Sequence, residues 1–578
     1  MCGIVGFTGN KDFSRLRRLL ALLEHRGRDE TTRWRGGGVN LGINRLAIND
    51  LRPGLYPMKF RHLRLVYNGE IYNAGQLRLQ LEAQGVKLTS NCDGEVILPL
   101  YHQYGVKSFS ILNGMFALAI VDLDKKQVIL ARDKFGEKPI FYSIVGKELM
   151  FASEIRALLV SKKIDKTISS KGLSEYLQQG YVFAPGTLLQ SVNKLQAGYY
   201  LKYGGGYLET KPYFKLKIGE TKAENLGEQS LIDKLEKKIG TAVKSRLLSD
   251  VPVGCFLSGG VDSSLITFFA SQQIKNLHSF SVSFSDQKHD ESKYAKRVSK
   301  LLGTNHHEIV CSPETVKPLL KRWGGIIDEP VCDAAMIPTY LLSQEAAKFV
   351  KVVLTGEGAD EIFGGYDRYW KHLIADKFRI FFRPAAETYS TQGIWFGDDF
   401  KNIFNVTDGE VKRVKFESLS TGRDLLQAMQ LVDLTGYLPD QLFRKVDMMS
   451  MQHTLEARAP FVDPDLVLWV LGLPQKYKVN LTGGKFLIKK LAMRFLPGDL
   501  VRRKKHGFTL PLDEWFRGPL KEIAKESVSE LFKLSDSLNA KYYKEQVSRH
   551  FQGKANNGDK IWSIIVLTAW AKKYQIKL

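Results

Sequence analysis

The segment Val253–Ser264 reads VGCFLSGGVDSS, and its reading decides the fold class of more than half the chain. The apolar run from Val253 to Leu257 has the length and composition of a buried strand. Behind the two glycines, Asp262, Ser263 and Ser264 open a helix. Small residues at such a turn let backbone N–H groups approach an anion, and the helix N-terminus adds the positive end of its dipole. No G-K-[ST] follows, so this is not the Walker pattern. The same rhythm recurs downstream. His278 to Phe284 precedes a helix from Glu291 to Leu302, and Lys351 to Leu354 follows another helix. Strand alternating with helix from about residue 230 predicts a doubly wound parallel sheet, with ligands at the carboxyl ends of its strands. Beyond about residue 365 the pattern is mostly helical and aromatic.

Upstream the rhythm is different. Ile4–Phe7, Leu63–Tyr67, Met115–Ile120 and Val128–Leu130 read as short strands between Gly, Asn and Asp turns, with helices near 12–25 and 74–84. Grouped rather than alternating elements predict a layered α+β domain over 2–200, and 231–578 reads as the α/β domain. Between them, 201–230 reads as a linker. The 578 residues are 44% hydrophobic and 25% charged, a globular composition that excludes a fibrous or mainly disordered chain. No apolar stretch reaches the ~18 residues of a membrane span, and the N-terminal residues lack the features of a secretory signal. Five scattered cysteines with no C-x-x-C pair argue against a disulfide framework or a zinc site and predict a cytoplasmic protein. The net charge of +23 attracts anions generally. The basic residues are spread out, however, and no nucleic-acid-binding signature accompanies them, so an anionic small-molecule substrate is the simpler reading.

If Met1 is removed, Cys2 carries a nucleophilic thiol and a proton-accepting α-amine in one residue. Met-Cys-Gly alone is a weak signal. It gains weight from four polar segments that follow in order: His25–Asp29 (HRGRD), Asn44–Leu46 (NRL), Asn68–Asn73 (NGEIYN) and Cys92–Leu98 (CDGEVIL). Read singly, Asn68-Gly69 is a hairpin turn and Asp93 a helix cap. Together with Cys2 they resemble a class II, N-terminal-nucleophile glutamine amidotransferase. That resemblance implies an αββα glutaminase domain in which Cys2 attacks the glutamine side-chain amide. Arg45 would hold the glutamine α-carboxylate, Glu70 and Asp93 its α-amine, and Asn68 with Gly69 the oxyanion. The chain departs from the family pattern at Arg28, where Pro is usual, and at Asn44, where His or Glu is usual.

Leu257–Ser264 is similar to the S-G-G-x-D-S loop of ATP pyrophosphatases, which cleave ATP between its α and β phosphates. The resemblance implies ATP binding by Leu257, Ser258, Gly259, Gly260, Asp262, Ser263, Ser264, Val282, Thr355 and Gly356. Asp262 and Asp360 are the natural Mg²⁺ ligands. A second loop, Thr355–Tyr366 (TGEGADEIFGGY), follows a strand and would bring Glu357 near the reacting acyl group. Asp328-Glu329-Pro330 with Asp333 resembles the family's D-E-P-x-x-D loop, although a helix cap also explains Asp333. Lys445 is the candidate for stabilising charge at the α-phosphate. Glu456 with Arg458 reads as a buried ion pair or an acceptor-site frame. The basic run Arg503–Phe508 reads equally as a pyrophosphate collector or a solvated face.

Taken whole, the chain to about residue 520 resembles glutamine-hydrolysing asparagine synthetases. The expected reaction is adenylation of a carboxylate, L-aspartate first and a uronic acid as the runner-up, followed by amidation with ammonia released at Cys2. The expected cofactors are ATP as substrate and Mg²⁺. Expected partners are small molecules and no nucleic acid, with a homodimer as the expected assembly. A nucleic-acid-binding protein, a silent scaffold and a β-lactam-type cyclising synthetase all leave the coexistence of Cys2 and SGGVDSS unexplained.

Overall fold

The computed structural model describes residues 2–9, 13–216, 219, 227–285, 290–377, 389, 393–395, 403, 424–480, 483–503, 510–535 and 538–578. The N-terminal lobe holds two six-stranded antiparallel sheets. In order, the first contains Asn193–Lys194, Phe141–Val145, Glu148–Ala152, Gly3–Thr8, Val39–Arg45 and Glu30–Gly36. The second contains Tyr207–Pro212, Tyr199–Gly204, Gln127–Arg132, Gly114–Asp122, Leu63–Ile71 and Met58–Phe60. The sheets meet where Gly3–Thr8 and Val39–Arg45 touch Leu63–Ile71. Helix Phe13–Ala21 covers the outside of the first sheet, and Ile97–Tyr104 lies against the second. This is the expected αββα layering. Its central strands are buried on both faces, so GIVGFT and MFALAIVD are nearly continuous apolar runs rather than alternating ones.

Residues 201–212 correct the expected linker. Tyr199–Gly204 and Tyr207–Pro212 form a hairpin that pairs with Gln127–Arg132 and closes one edge of the second sheet. The Gly204–Gly206 cluster that suggested a linker is the turn of that hairpin.

The C-terminal lobe has a five-stranded, all-parallel sheet in the order Asn305–Cys311, His278–Phe284, Val253–Phe256, Val352–Leu354, Glu456–Arg458. The last strand joins from the far side of the helical region. The final residues, which carry no recognised motif, form helices Lys521–Leu534, Ala540–Phe551 and Gly558–Tyr574. They buttress the Asp328 loop. Trp323, Trp562 and Trp570 are fully buried there, and Trp570 Nε1 donates to the Asp328 carbonyl at 2.9 Å. At ~25 cal/mol per Å² and 150–250 Å² per indole, each contributes up to about 4–6 kcal/mol.

The two lobes share their core. Leu46, Tyr72 and Met115 from the first pack in one cluster with Leu354, Leu438 and Phe461 from the second. The lobes therefore meet through a desolvated interface, and charges within it need partners.

Candidate active site

Cys2 opens the first strand and is buried. Its backbone N–H donates to Asn68 Oδ1 at 2.8 Å across the inter-sheet space. That contact turns the Asn68 amide so that Nδ2 is its free end, and this buried donor has no partner among the described residues. Gly69 follows with φ +156°, and a Cβ there would lie 2.0 Å from the Met115 carbonyl oxygen on the neighbouring strand. Only glycine keeps Asn68 in this register, where it pairs opposite Ala117. Burial pushes the Cys2 thiol up from its ordinary value.

Glu70 and Asp93 lie next along the same wall. Glu70 Oε2 accepts from Asn49 Nδ2. Asp93 accepts from the Ile71 N–H at 2.6 Å and from the Tyr67 hydroxyl. Burial, and after it Asp93, raises the Glu70 carboxyl well above the carboxylate range, and burial raises Asp93 as well. Two buried acids that disfavour each other's charge suit a ligand carrying a cation. Arg45 is buried at the end of its strand, with its guanidinium donating to the carbonyls of Asp50 and, at 2.5 Å, Arg52. Of the two departures from the family pattern, Asn44 faces inward: it donates to the Leu20 carbonyl at 2.6 Å and accepts from Thr31 at 2.8 Å, so it braces the lobe rather than forming a site wall. Arg28 is exposed.

In the second lobe, Leu257–Ser264 turns from strand to helix as read from sequence. Ser258 N–H and Oγ both bond Ser263 Oγ, at 3.2 and 3.0 Å, folding the loop on itself. Gly259 takes φ +71°, where a Cβ would lie 2.6 Å from the Ala295 nitrogen. Ser264 Oγ is buried without a partner among the described residues. Val282 is buried on the adjacent strand. Thr355 and Gly356 leave Val352–Leu354, which flanks Val253–Phe256 on its other side, and the Thr355 N–H donates to the Arg458 carbonyl at 2.9 Å. Gly356 brings this loop against Asp262, whose Cβ would be 3.3 Å from a Cβ placed there.

Asp262 and Asp360 converge, and a residue the sequence reading missed lies between them. Lys485 Nζ reaches Asp262 Oδ2 at 2.5 Å and Asp360 Oδ1 at 2.7 Å. One cation already bridges the two carboxylates, and an all-oxygen donor pair suits Mg²⁺. The signal for Lys485 is the Gly483-Gly484 pair before it. A Cβ on Gly484 would lie 1.9 Å from the Gly364 carbonyl, so the two loops touch backbone to backbone.

Lys445 is buried on helix Phe443–Met451, with Nζ 3.1 Å from Asp333 and 3.6 Å from Glu357. Burial opposes its charge, but Asp333 and Glu357 outweigh burial and hold the ammonium charged. Asp333 also caps the following turn, accepting from Ala335 N–H at 2.9 Å. Lys504 to Phe508 of the basic run lie outside the described residues.

Two buried ion-pair chains join the halves. Arg26 Nε donates to the Cys2 carbonyl at 3.2 Å, while its fork grips Asp447 at 2.8 and 3.1 Å and reaches Glu154 at 2.9 Å. Asp447 lies two residues beyond Lys445. Arg458 pairs with Glu456 at 2.6 Å and faces Glu70 at 3.4 Å. A cavity of about 10 Å³, room for one water-sized molecule, lies between these chains, lined by Glu137, Lys138, Thr355, Asp447 and Arg458.

Comparison with known proteins agrees on both halves. A family described as Asparagine synthase matches residues 234–572, and one described as Glutamine amidotransferase domain matches 1–214. Asparagine synthetase [glutamine-hydrolyzing] 1 of Bacillus subtilis is 30% identical, covering 99% of this chain and 96% of its own. A putative asparagine synthetase [glutamine-hydrolyzing] of Mycobacterium bovis is 29% identical over 99% and 97%. A more distant relative, Amidase chry2 of Gibberella zeae, is 26% identical over 92% of each chain. With a matching family over each lobe and a relative aligned end to end, the chain belongs to the glutamine-hydrolysing asparagine synthetase family and is an ATP-using carbon–nitrogen ligase of that type.

Proposed function

We propose that this ligase makes L-asparagine from L-aspartate. Glutamine binds with its α-ammonium against Glu70 and Asp93 and its α-carboxylate toward Arg45. With Met1 removed, the Cys2 amine takes the thiol proton and Sγ attacks the side-chain amide carbon. The developing oxyanion meets Asn68 Nδ2 and the Gly69 N–H. Collapse to the thioester expels ammonia, and water later releases glutamate.

In the second lobe the aspartate β-carboxylate attacks the α-phosphate of ATP, pyrophosphate leaves, and an acyl-adenylate remains. Asp262 and Asp360 would hold Mg²⁺, which supplies charge neutralisation at the phosphates. The SGGVDSS loop orients the phosphate chain, and Lys445, kept charged by Asp333 and Glu357, faces the reacting acyl phosphate. Ammonia then attacks the acyl carbon and AMP leaves. The observation that carries the reading is the buried continuity from the Cys2 carbonyl through Arg26 and Asp447 to the helix bearing Lys445, with a water-sized cavity beside it.

The test is AMP release with ammonium chloride as nitrogen donor, comparing L-aspartate with a uronic acid. Full turnover with aspartate alone is expected, and turnover with the uronate alone would replace the acceptor. Mass spectrometry of the mature N-terminus checks the free Cys2 amine.

A further inference from the structure

A larger cavity, of about 390 Å³, lies on the seam between the lobes and shares no residue with the sites described above. The N-terminal lobe contributes Lys134, Phe135, Phe214 and Leu216 to its wall. The other wall is Leu431, Leu434 and Asp440, from the helix Leu425–Val432 and the π-helical segment Asp433–Leu442 that runs directly into the helix carrying Lys445. The size is that of a small-molecule pocket, and π-helical segments recur at functional sites.

Polar residues interrupt the apolar lining: Lys134, Gln196, Lys215, Thr435 and Asp440. Lys134 has no carboxylate within 4 Å among the described residues, and its ammonium lies 5.6 Å from the centre of the Phe214 ring. Burial pushes its pKa below the usual lysine value, with Asp465 and Asp463 too distant to compensate fully. Asp440, 2% exposed, spends Oδ2 on the Ala184 N–H at 2.8 Å, while Oδ1 has no hydrogen-bond partner among the described residues. Arg132 and Lys194 stand 3.9 Å from that oxygen. Oδ1 is also shut off from the cavity, so Asp440 lends it no hydrogen-bond acceptor. The cavity thus offers the uncompensated Lys134 ammonium beside the Phe214 ring.

We propose that this seam cavity binds a small amphipathic anion, with an apolar body and a carboxylate head paired with Lys134. A charge-assisted hydrogen bond in such surroundings contributes roughly 10- to 100-fold in affinity.

N-acetyl-L-tryptophan is the probe, with N-acetyl-L-tryptophanamide as its uncharged twin, measured by calorimetry on the full-length protein. The acid is expected to bind saturably and at least ~10-fold more tightly than the amide. Lys134→Met should erase that preference, and Leu216→Trp, which fills the cavity from its half-buried rim, should abolish binding while glutaminase activity persists. Failure of the acid to bind, equal binding of acid and amide, or an unchanged preference in Lys134→Met would each overturn the proposal.

Discussion

The two halves of this enzyme build their sites by different means. In the glutaminase half, Cys2, Asn68, Gly69 and Glu70 lie on strands of two facing sheets, and antiparallel register fixes their positions; a Cβ on Gly69 would strike a neighbouring backbone oxygen. In the synthetase half, the corresponding groups lie just past strand ends, held by contacts between distant segments such as Asp262 with Lys485 and Thr355 with Arg458. The first arrangement is enclosed and tolerates little. The second stands at a sheet edge, where a nucleotide can enter and charged partners hold each other until it does.

The sharpest break between the halves is expected from Cys2→Ala. Glutamine-dependent synthesis should fall to background while ammonia-dependent AMP formation stays within a factor of ~2, since only the nucleophile is removed. Loss of both activities would show that the halves are not separable. Asn68→Ala removes one oxyanion donor and should cost about 10²–10³ in glutaminase kcat, again sparing the ammonia reaction. Lys445→Met should instead lower both reactions together, by a similar factor, because each nitrogen source uses the same adenylate.

Asp447→Ala attacks the join. It leaves Arg26 charged and buried with Glu154 as its remaining carboxylate partner, a change expected to cost about 3–5 kcal/mol in denaturant unfolding. A loss below 1 kcal/mol would mean that the join is wet. The last effect is one of pH. Glu361, beside Asp360 in the synthetase half, is pushed up to about 8 by burial and then by Asp360, against an ordinary 4.5. The folded state therefore holds a proton that the unfolded chain has lost between those values, and stability falls as pH rises through that window. Glu361→Gln should flatten the fall by about 1.4 kcal/mol per pH unit, read from urea titrations between pH 5 and 8.

Much of this site was legible because its residues are adjacent in sequence. SGGVDSS, TGEGAD and NGEIYN each pack several functional groups into one turn, where local geometry leaves few alternatives. Lys485 was missed because it reaches Asp262 across 223 residues, and the Gly483-Gly484 pair before it reads equally as an ordinary turn. The hairpin at 199–212 was misread because glycine-rich stretches serve linkers and turns equally, and only pairing with Gln127–Arg132 distinguishes them. That Asn44 braces the lobe was not legible, because strand alternation does not say which face of a doubly covered sheet meets the ligand.

The sequence by itself determined the two fold classes and singled out Cys2 and the SGGVDSS turn, since hydrophobic period and short-range backbone chemistry act within a dozen residues. Only the tertiary structure decided that Arg26 grips Asp447, that Arg458 faces Glu70, and that a cation already joins Asp262 to Asp360. Those contacts depend on which distant charges are buried together, and burial is a property of the whole packed chain.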